Sequence, residues 1–398
     1  MDKLMIKNRK KISTAELLFT IMFCMLYSYI FLETTTFNMP EWIKYLVYGF
    51  SFFLVMVKVS FFDKYSKIKF FNMLIFSILT IVAAYFSRNY SLVILWIMVI
   101  GANNIDFEKI IRVFLIASVI LLLGTLIASK YGLIMNFTYT RNGKIRNSFG
   151  ANYPTDFGAH VLYIVLAYIY TLRGKLDIKR GLLVLLVGFF VIDQTDARLD
   201  AYLIIIVAIV FFIYNIAVNS IQGNSKLSII AYIMAFSVPV AFVSSNLLTY
   251  VYTPFNNIMY KLNILFSARL VLGKQAFVRY PIKFFGQYIQ QIGAGGYNGY
   301  MSSSLGNNYN YFFIDSSFVN MLLSYGILFS GYLVILISLR LVTKVKQGDY
   351  VLVLIFIFVT ISSVVDQHFL EVAYNPFTLF IFSSMLYNKD VENEIREF

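Results

Sequence analysis

Arginines and carboxylates gather in three short stretches of an otherwise apolar chain, and their types and spacing suit the handling of an anion beside a proton acceptor. The first stretch, RNGKIRNSFGANYPTDFGAH, sets Arg141 and Arg146 ahead of a turn-rich run. Asp156 and His160 follow, four residues apart and so on one face of a helix. This reads as an anion-binding mouth with a titratable His, or as a basic loop on anionic headgroups with a His at a helix end. The second, DQTDARLDAY, crowds Asp193, Asp196, Arg198 and Asp200. Charges near hydrocarbon pair or line a polar cavity. Either Asp196–Arg198–Asp200 is a self-contained ion-pair cluster, or the carboxylates hold Arg198 towards a cavity; a divalent cation there would be unspecific.

The third, SARLVLGKQAFVRYP, offers Arg269, Lys274 and Arg279. Guanidinium suits planar, multidentate contact with phosphate, whereas Lys274 and Lys283 are expected to snorkel. Asp315, in YFFIDSSFVNMLLSYG, is a helix cap or a general base. His368, in DQHFLEV, is the second of only two histidines. GAGGYNG lacks the strand–turn–helix setting of a dinucleotide site. Cys24 is the sole cysteine, so neither an intramolecular disulfide nor a Cys-based metal site is available.

The elements that must position these groups are membrane helices. Hydrophobic residues make up 59% and charged residues 13% of the 398, and mean hydropathy is +0.73. Those values exclude an ordinary soluble domain. Windows of about 20 residues give apolar stretches at 15–33, 43–61, 70–87, 89–103, 109–129, 157–172, 181–195, 199–218, 227–248, 315–339, 350–365 and 370–387. The expected fold is all-α: one integral membrane unit, 1–398, a transmembrane bundle of about twelve spans. The first stretch, after a basic start, reads as an uncleaved anchor.

The net charge of +13 is read as topology, with no nucleic acid partner. Lys64, Lys67 and Lys69, then Arg173, Lys175, Lys179 and Arg180, then Arg340, Lys344 and Lys346 occupy alternate short loops. Both termini are therefore expected in the cytoplasm. Two enlarged outer loops, 130–156 and 249–314, hold the remaining cations. In the second, a surface helix is expected over Ile258–Val278, closed at Tyr280–Pro281, followed by irregular Gly/Asn/Tyr-rich backbone.

In this layout, and in RNSFGANYPTDFGAH, TDARLDAY, SARLVLGKQAFVRYPIKFFGQYI and DSSFVNMLLSYGI, the chain resembles the Wzy-type capsule and O-antigen polymerases of the O-antigen polymerase and ligase superfamily. Ligase-like relatives tend to carry a His ahead of the late outer helix, where this chain has Asp315. The resemblance implies inverting, metal-independent glycosyl transfer, without a cofactor, on the outer face of the bacterial cytoplasmic membrane. Donor and acceptor would be undecaprenyl-diphosphate-linked glycans, and a chain-length regulator and a flippase would be partners. It assigns Arg146, Arg198 and Arg269, with Arg141, Asp196 and Arg279 nearby, to the diphosphate, and His160 or Asp315 to the proton. Tyr311 and other loop aromatics would stack on sugar rings. A lipid-linked oligosaccharide flippase is the competing reading, and a membrane acyltransferase a weaker third.

Overall fold

A computed structural model describes residues 13–220, 225–304 and 311–384. The molecule is mostly helical. Along the chain come α1 (Thr14–Glu33), α2 (Glu41–Phe61), α3 (Lys67–Ser87), α4 (Ser91–Gly101) and α5 (Phe107–Lys130). A hairpin follows, β1 (Thr138–Arg141) and β2 (Lys144–Asn147). Then come α6 (Pro154–Thr171), α7 (Ile178–Thr195), α8 (Arg198–Ser220), α9 (Ser225–Met234) and α10 (Ser237–Val251). The last group is α11 (Asn257–Leu265), α12 (Arg269–Arg279), α13 (Gly296–Ser304), α14 (Ser317–Asn320), α15 (Gly326–Lys346) and α16 (Tyr350–Val365). Six helical segments are long and apolar enough to cross a membrane: α1, α2, α3, α5, the Arg198–Ile216 part of α8, and Ser317–Lys346.

The helices pack into one bundle with two unlike ends. At the tight end the three basic short loops sit together: Lys69 bonds Asn104 Oδ1 at 2.8 Å, Arg173 pairs with Glu108 at 3.1 Å, and Arg340 donates to the Ser383 carbonyl. The same end buries an ion pair, Lys58–Asp63 at 2.7 Å, with Lys58 also donating to the Asn103 carbonyl. At the loop end the long connections interlock. Thr36 N–H bonds the Gly150 carbonyl, Asn152 N–H bonds Thr34, and Gly296 N–H bonds Asn152.

Several elements depart from the sequence expectation, each for a local reason. The stretch 227–248 is broken at Ala235–Phe236, because Pro239 has no N–H and its ring would clash with the carbonyl four residues before. The surface helix expected over Ile258–Val278 is two helices, α11 and α12, separated where Ser267 and Ala268 turn left-handed (φ 52° and 69°). The first enlarged loop contains the hairpin, turned by Asn142–Gly143 with both residues at positive φ. That pair forms the primed two-residue turn that matches strand twist.

The twelfth apolar stretch, 370–387, forms no α-helix among its described residues. Asn375 Nδ2 caps back to the Phe369 carbonyl, Pro376 offers no N–H, and a 3-10 turn at Phe377–Ile381 follows. The segment then runs to the tight end, where Ser384 N–H bonds Ile105. Non-helical backbone at membrane depth is tolerated only where protein surrounds it. Phe377, Leu379, Phe380, Ile381 and Phe382 are all buried.

Candidate active site

A cavity of about 900 Å³ opens at the loop end. Its walls come from the end of α1, the start of α6, the α11–α12 turn, the segment before α14 and the loop after α16. Five carboxylates line it, Glu33, Asp156, Asp315, Asp366 and Glu371, with Arg269 and His368 as its cationic side chains.

Arg269 is set in place by the turn that precedes it. Asn263 accepts the Val271 N–H on its side chain and the Ala268 N–H on its carbonyl, so the chain reverses tightly after α11. Two consecutive non-glycine residues in left-handed backbone are strained, a condition that gathers at functional sites. The turn aims the guanidinium at Asp315, with Nη2 3.2 Å from Oδ1, while Nη1 donates to the Ser267 carbonyl at 3.1 Å. Arg269 Nε–H is buried with no partner. A buried donor left unmade is costly, so the turn holds this guanidinium short of its full set of partners.

Asp315 also accepts from the Tyr311 hydroxyl, at 3.4 Å. Burial raises its pKa to about 6, against the opposing pull of Arg269. It is therefore ionised at neutral pH and still basic enough to take a proton. Asp366 is likewise pushed up by burial. Its carbonyl is clamped by the Ser317 N–H and hydroxyl, at 3.1 and 2.6 Å, which ties the loop after α16 to the start of α14. His368 Nδ1 lies 2.7 Å from Glu371 Oε2. Burial disfavours its charge, but the bond to Glu371 and the carboxylates of Asp366 and Asp156 raise its pKa to about 9. At neutral pH it is an imidazolium, donating to Glu371.

The two histidines belong to one stack. His368 packs on Tyr374 with ring centres 3.8 Å apart, Tyr374 on His160 at 4.2 Å, and His160 on Phe31 at 4.3 Å. His160 does not line the cavity. It is 2% exposed, and its Nε2 is bonded to the Thr34 hydroxyl at 2.8 Å, so Thr34 stands between it and the open space. The expectation that His160 handles the proton therefore gives way to a positioning place behind Thr34.

The expected convergence of three guanidinium groups is not found. Arg269 lines the cavity; Arg146 and Arg198 do not. Arg198 bonds Asp196 Oδ1 at 3.0 Å, and Arg141 reaches Asp196 Oδ2 at 2.8 Å and the Asp196 carbonyl. The carboxylate bridges both arginines, and although burial opposes it, their hydrogen bonds hold its pKa below the usual range. Asp196 itself is left-handed (φ 47°), so the α7–α8 turn folds its side chain back onto its neighbours. Asp200 stands apart from the cluster, buried on the first turn of α8, with Oδ1 lacking a partner. Gly158 lets α6 approach it, since a Cβ there would lie 2.8 Å from Asp200 Oδ2. Arg146 is buried against the α7 end, Nε donating to the Thr195 carbonyl at 2.9 Å and the guanidinium over the Tyr153 ring. Arg279 stacks on Phe312 at 4.5 Å. Tyr311 does line the cavity, through its bond to Asp315.

Thr34, Asp366, Glu371 and Tyr374 are cavity residues that the sequence reading passed over. The run VVDQHFLEVAY carries three titratable side chains within six residues, at 366, 368 and 371. Treating 370–387 as a span hid that signal, since Glu371 and Tyr374 then fell inside it. Among the described residues, no cluster of His, Cys, Asp and Glu is arranged to hold a metal ion. These features define a class: a helical protein suited to a membrane, with an acidic cavity at its loop end and a guanidinium, Arg269, set in its wall. No protein-family model matches the chain, and neither a curated protein nor a solved structure shows detectable similarity to it.

Proposed function

We propose that this protein is a polysaccharide polymerase: an inverting glycosyltransferase that joins undecaprenyl-diphosphate-linked repeat units on the outer face of the bacterial cytoplasmic membrane. In this reading the bundle crosses the bilayer about twelve times, counting the irregular last segment. The basic tight end and both termini face the cytoplasm. The observation that carries the reading is Arg269, which lines the cavity at the loop end and is anchored there by Asp315.

The surroundings suit a lipid-borne substrate. Ile258, Ile264 and Leu265 on α11 and Val278 on α12 are exposed apolar side chains flanking the Arg269 turn. They suit helices lying in the membrane interface, where a polyprenyl tail would run. In the reaction, the substrate enters between Asp315 and Arg269 and parts their ion pair. The acceptor sugar hydroxyl gives its proton to the Asp315 carboxylate while its oxygen attacks the donor's anomeric carbon from the face opposite Arg269. The bond from that carbon to the diphosphate oxygen breaks, and the oxygen keeps the electron pair. Arg269 holds the developing charge, a contribution that is large where the donor is preorganised and screened from water. The remaining carboxylates accept hydrogen bonds from sugar hydroxyls.

The flippase reading fares less well on one observation. A path for a lipid-linked glycan should traverse the bundle, whereas the last apolar stretch, Phe377–Phe382, is packed as buried core. Deletion tests the choice in cells. Outward-exposed single repeats on lipid carriers should accumulate, and Arg269→Ala or Asp315→Asn should reproduce this at normal expression. Inward-trapped repeats would instead support a flippase and reject the polymerase.

A further inference from the structure

A second, smaller cavity of about 340 Å³ shares Ser91, Phe313, Gln367, Leu370 and Glu371 with the first, and its lining has a different chemistry. Where the larger space is acidic, this one is walled mainly by amides and hydroxyls, among them Asn89, Gln291, Asn320, Ser324 and Gln367. Tyr288 and Phe313 supply aromatic surface. Its guanidinium, Arg88, lies over the Tyr288 ring at 5.4 Å. Its volume falls within the range of about 300–1,000 Å³ usual for small-ligand pockets.

The polar wall is arranged with donors towards the space. Gln291 Oε1 accepts the Ile314 N–H at 2.9 Å, which fixes the amide orientation. Gln291 Nε2 therefore donates to Asn320 Oδ1, at 3.2 Å, and Ser324 Oγ donates to the same oxygen at 2.6 Å. With Oδ1 used twice, Asn320 Nδ2 keeps its hydrogens, and no protein acceptor meets them among the described residues. Gln367 is held at its backbone, between Asp366 and Phe369 on Ser317, and its amide is likewise unclaimed. The wall follows the π turn Met321–Tyr325, a distortion of the helix frequent at functional sites.

We propose that this cavity is a subsite for an uncharged saccharide ring, with the Asn320 and Gln367 amides binding its hydroxyls. It shares Gln367 and Glu371 with the reaction cavity, so a glycan held here lies next to the space beside Asp315. The proposal rests on the polymerase reading and adds the chemical class of one sugar. The guanidinium that lines this cavity, Arg88, is balanced by the Glu371 carboxylate, so the space favours neither an acidic nor a basic sugar.

The test uses the purified full chain in lipid nanodiscs, with single lipid-linked repeats extracted from a deletion strain as probe. Asn320→Asp is isosteric and keeps both acceptor bonds at one oxygen, but removes the donor; Gln367→Ala removes an amide that holds nothing in the protein. Each should raise KM for the repeat roughly tenfold, the worth of about one hydrogen bond, exceeding any fall in kcat. Thermal midpoints equal to wild type show that the fold is intact. Unchanged KM in both variants, with polymer still formed, overturns the subsite and leaves the reaction standing. No polymer from the wild-type protein overturns the reaction on which the subsite rests.

Discussion

Gly286→Ala should loosen the wall of the smaller cavity, which Ser324 and Tyr325 line, and its effect can be worked from the backbone. Gly286 has φ +86°, and a Cβ there would lie 2.2 Å from the Ser324 carbonyl oxygen and 2.8 Å from Tyr325 C. A left-handed alanine costs about 1–2 kcal/mol. Restoring ordinary contact at 3.4 Å needs a retreat of 1.2 Å (3.4 − 2.2). The Gln287 N–H to Ser324 carbonyl bond, now 3.0 Å, cannot survive such a retreat. Losing it and leaving a buried carbonyl unpaired adds about 1–3 kcal/mol. The total, roughly 2–5 kcal/mol, should lower the thermal midpoint in detergent by roughly 5 °C. The paired Gly326 stands at φ +83° with its own Cβ position 2.3 Å from Gly286 N, so Gly326→Ala should behave alike. Gly331→Ala, in α15 with nothing within 4 Å of the added carbon, is the control and should be neutral or slightly stabilising. Equal midpoints for all three variants would refute the claim that the close approach of Gly286 and Gly326 leaves no room for a Cβ.

Other outcomes follow from the same geometry. Arg198→Ala should leave polymer length near wild type, because Arg198 pairs with Asp196 off the cavity, whereas Arg269→Ala should abolish polymer; gel analysis of cell-surface glycan separates them. Activity should fall about tenfold per pH unit below about 6, as Asp315 takes up its proton; a flat profile from pH 5 to 7 removes it as the base. Its pKa is raised on folding, so the ionised form destabilises the fold as pH rises from about 3.9 to about 6. Asp315→Asn should therefore gain about 2 kcal/mol at neutral pH and nothing below pH ~4, read as the difference in thermal midpoint. At the tight end, Asp63→Ala would strand Lys58 in the interior and cost about 3–5 kcal/mol, seen as loss of folded protein on size exclusion.

The sequence made the helical, membrane-suited character legible because it is written in composition, and a run of apolar residues needs no partner to be recognised. Arg269 stood out as a charge set among apolar neighbours, where an unpaired group is expensive, and Asp315 as a carboxylate at the start of an apolar run. Pairing choices were not legible. Whether Asp196 would hold Arg198 or release it depends on the left-handed backbone at Asp196 and on the distant Arg141 arriving by way of the hairpin. The hairpin itself was signalled by Asn142–Gly143, but the loop was read for its charges. The last stretch misled most. Its hydropathy matches a helix, yet Asn375 and Pro376 turn it into buried irregular chain, with Asp366, His368 and Glu371 in the loop just before, at the cavity.

Reconstitution with purified lipid-linked repeats tests the central claim most directly. The wild-type protein and Arg198→Ala should each convert single repeats into a ladder of longer chains and release undecaprenyl diphosphate. Asp315→Asn and Arg269→Ala, folded and at equal amount, should leave the single repeats untouched. A full ladder from either of the last two would contradict the assignment of glycosyl transfer to this cavity.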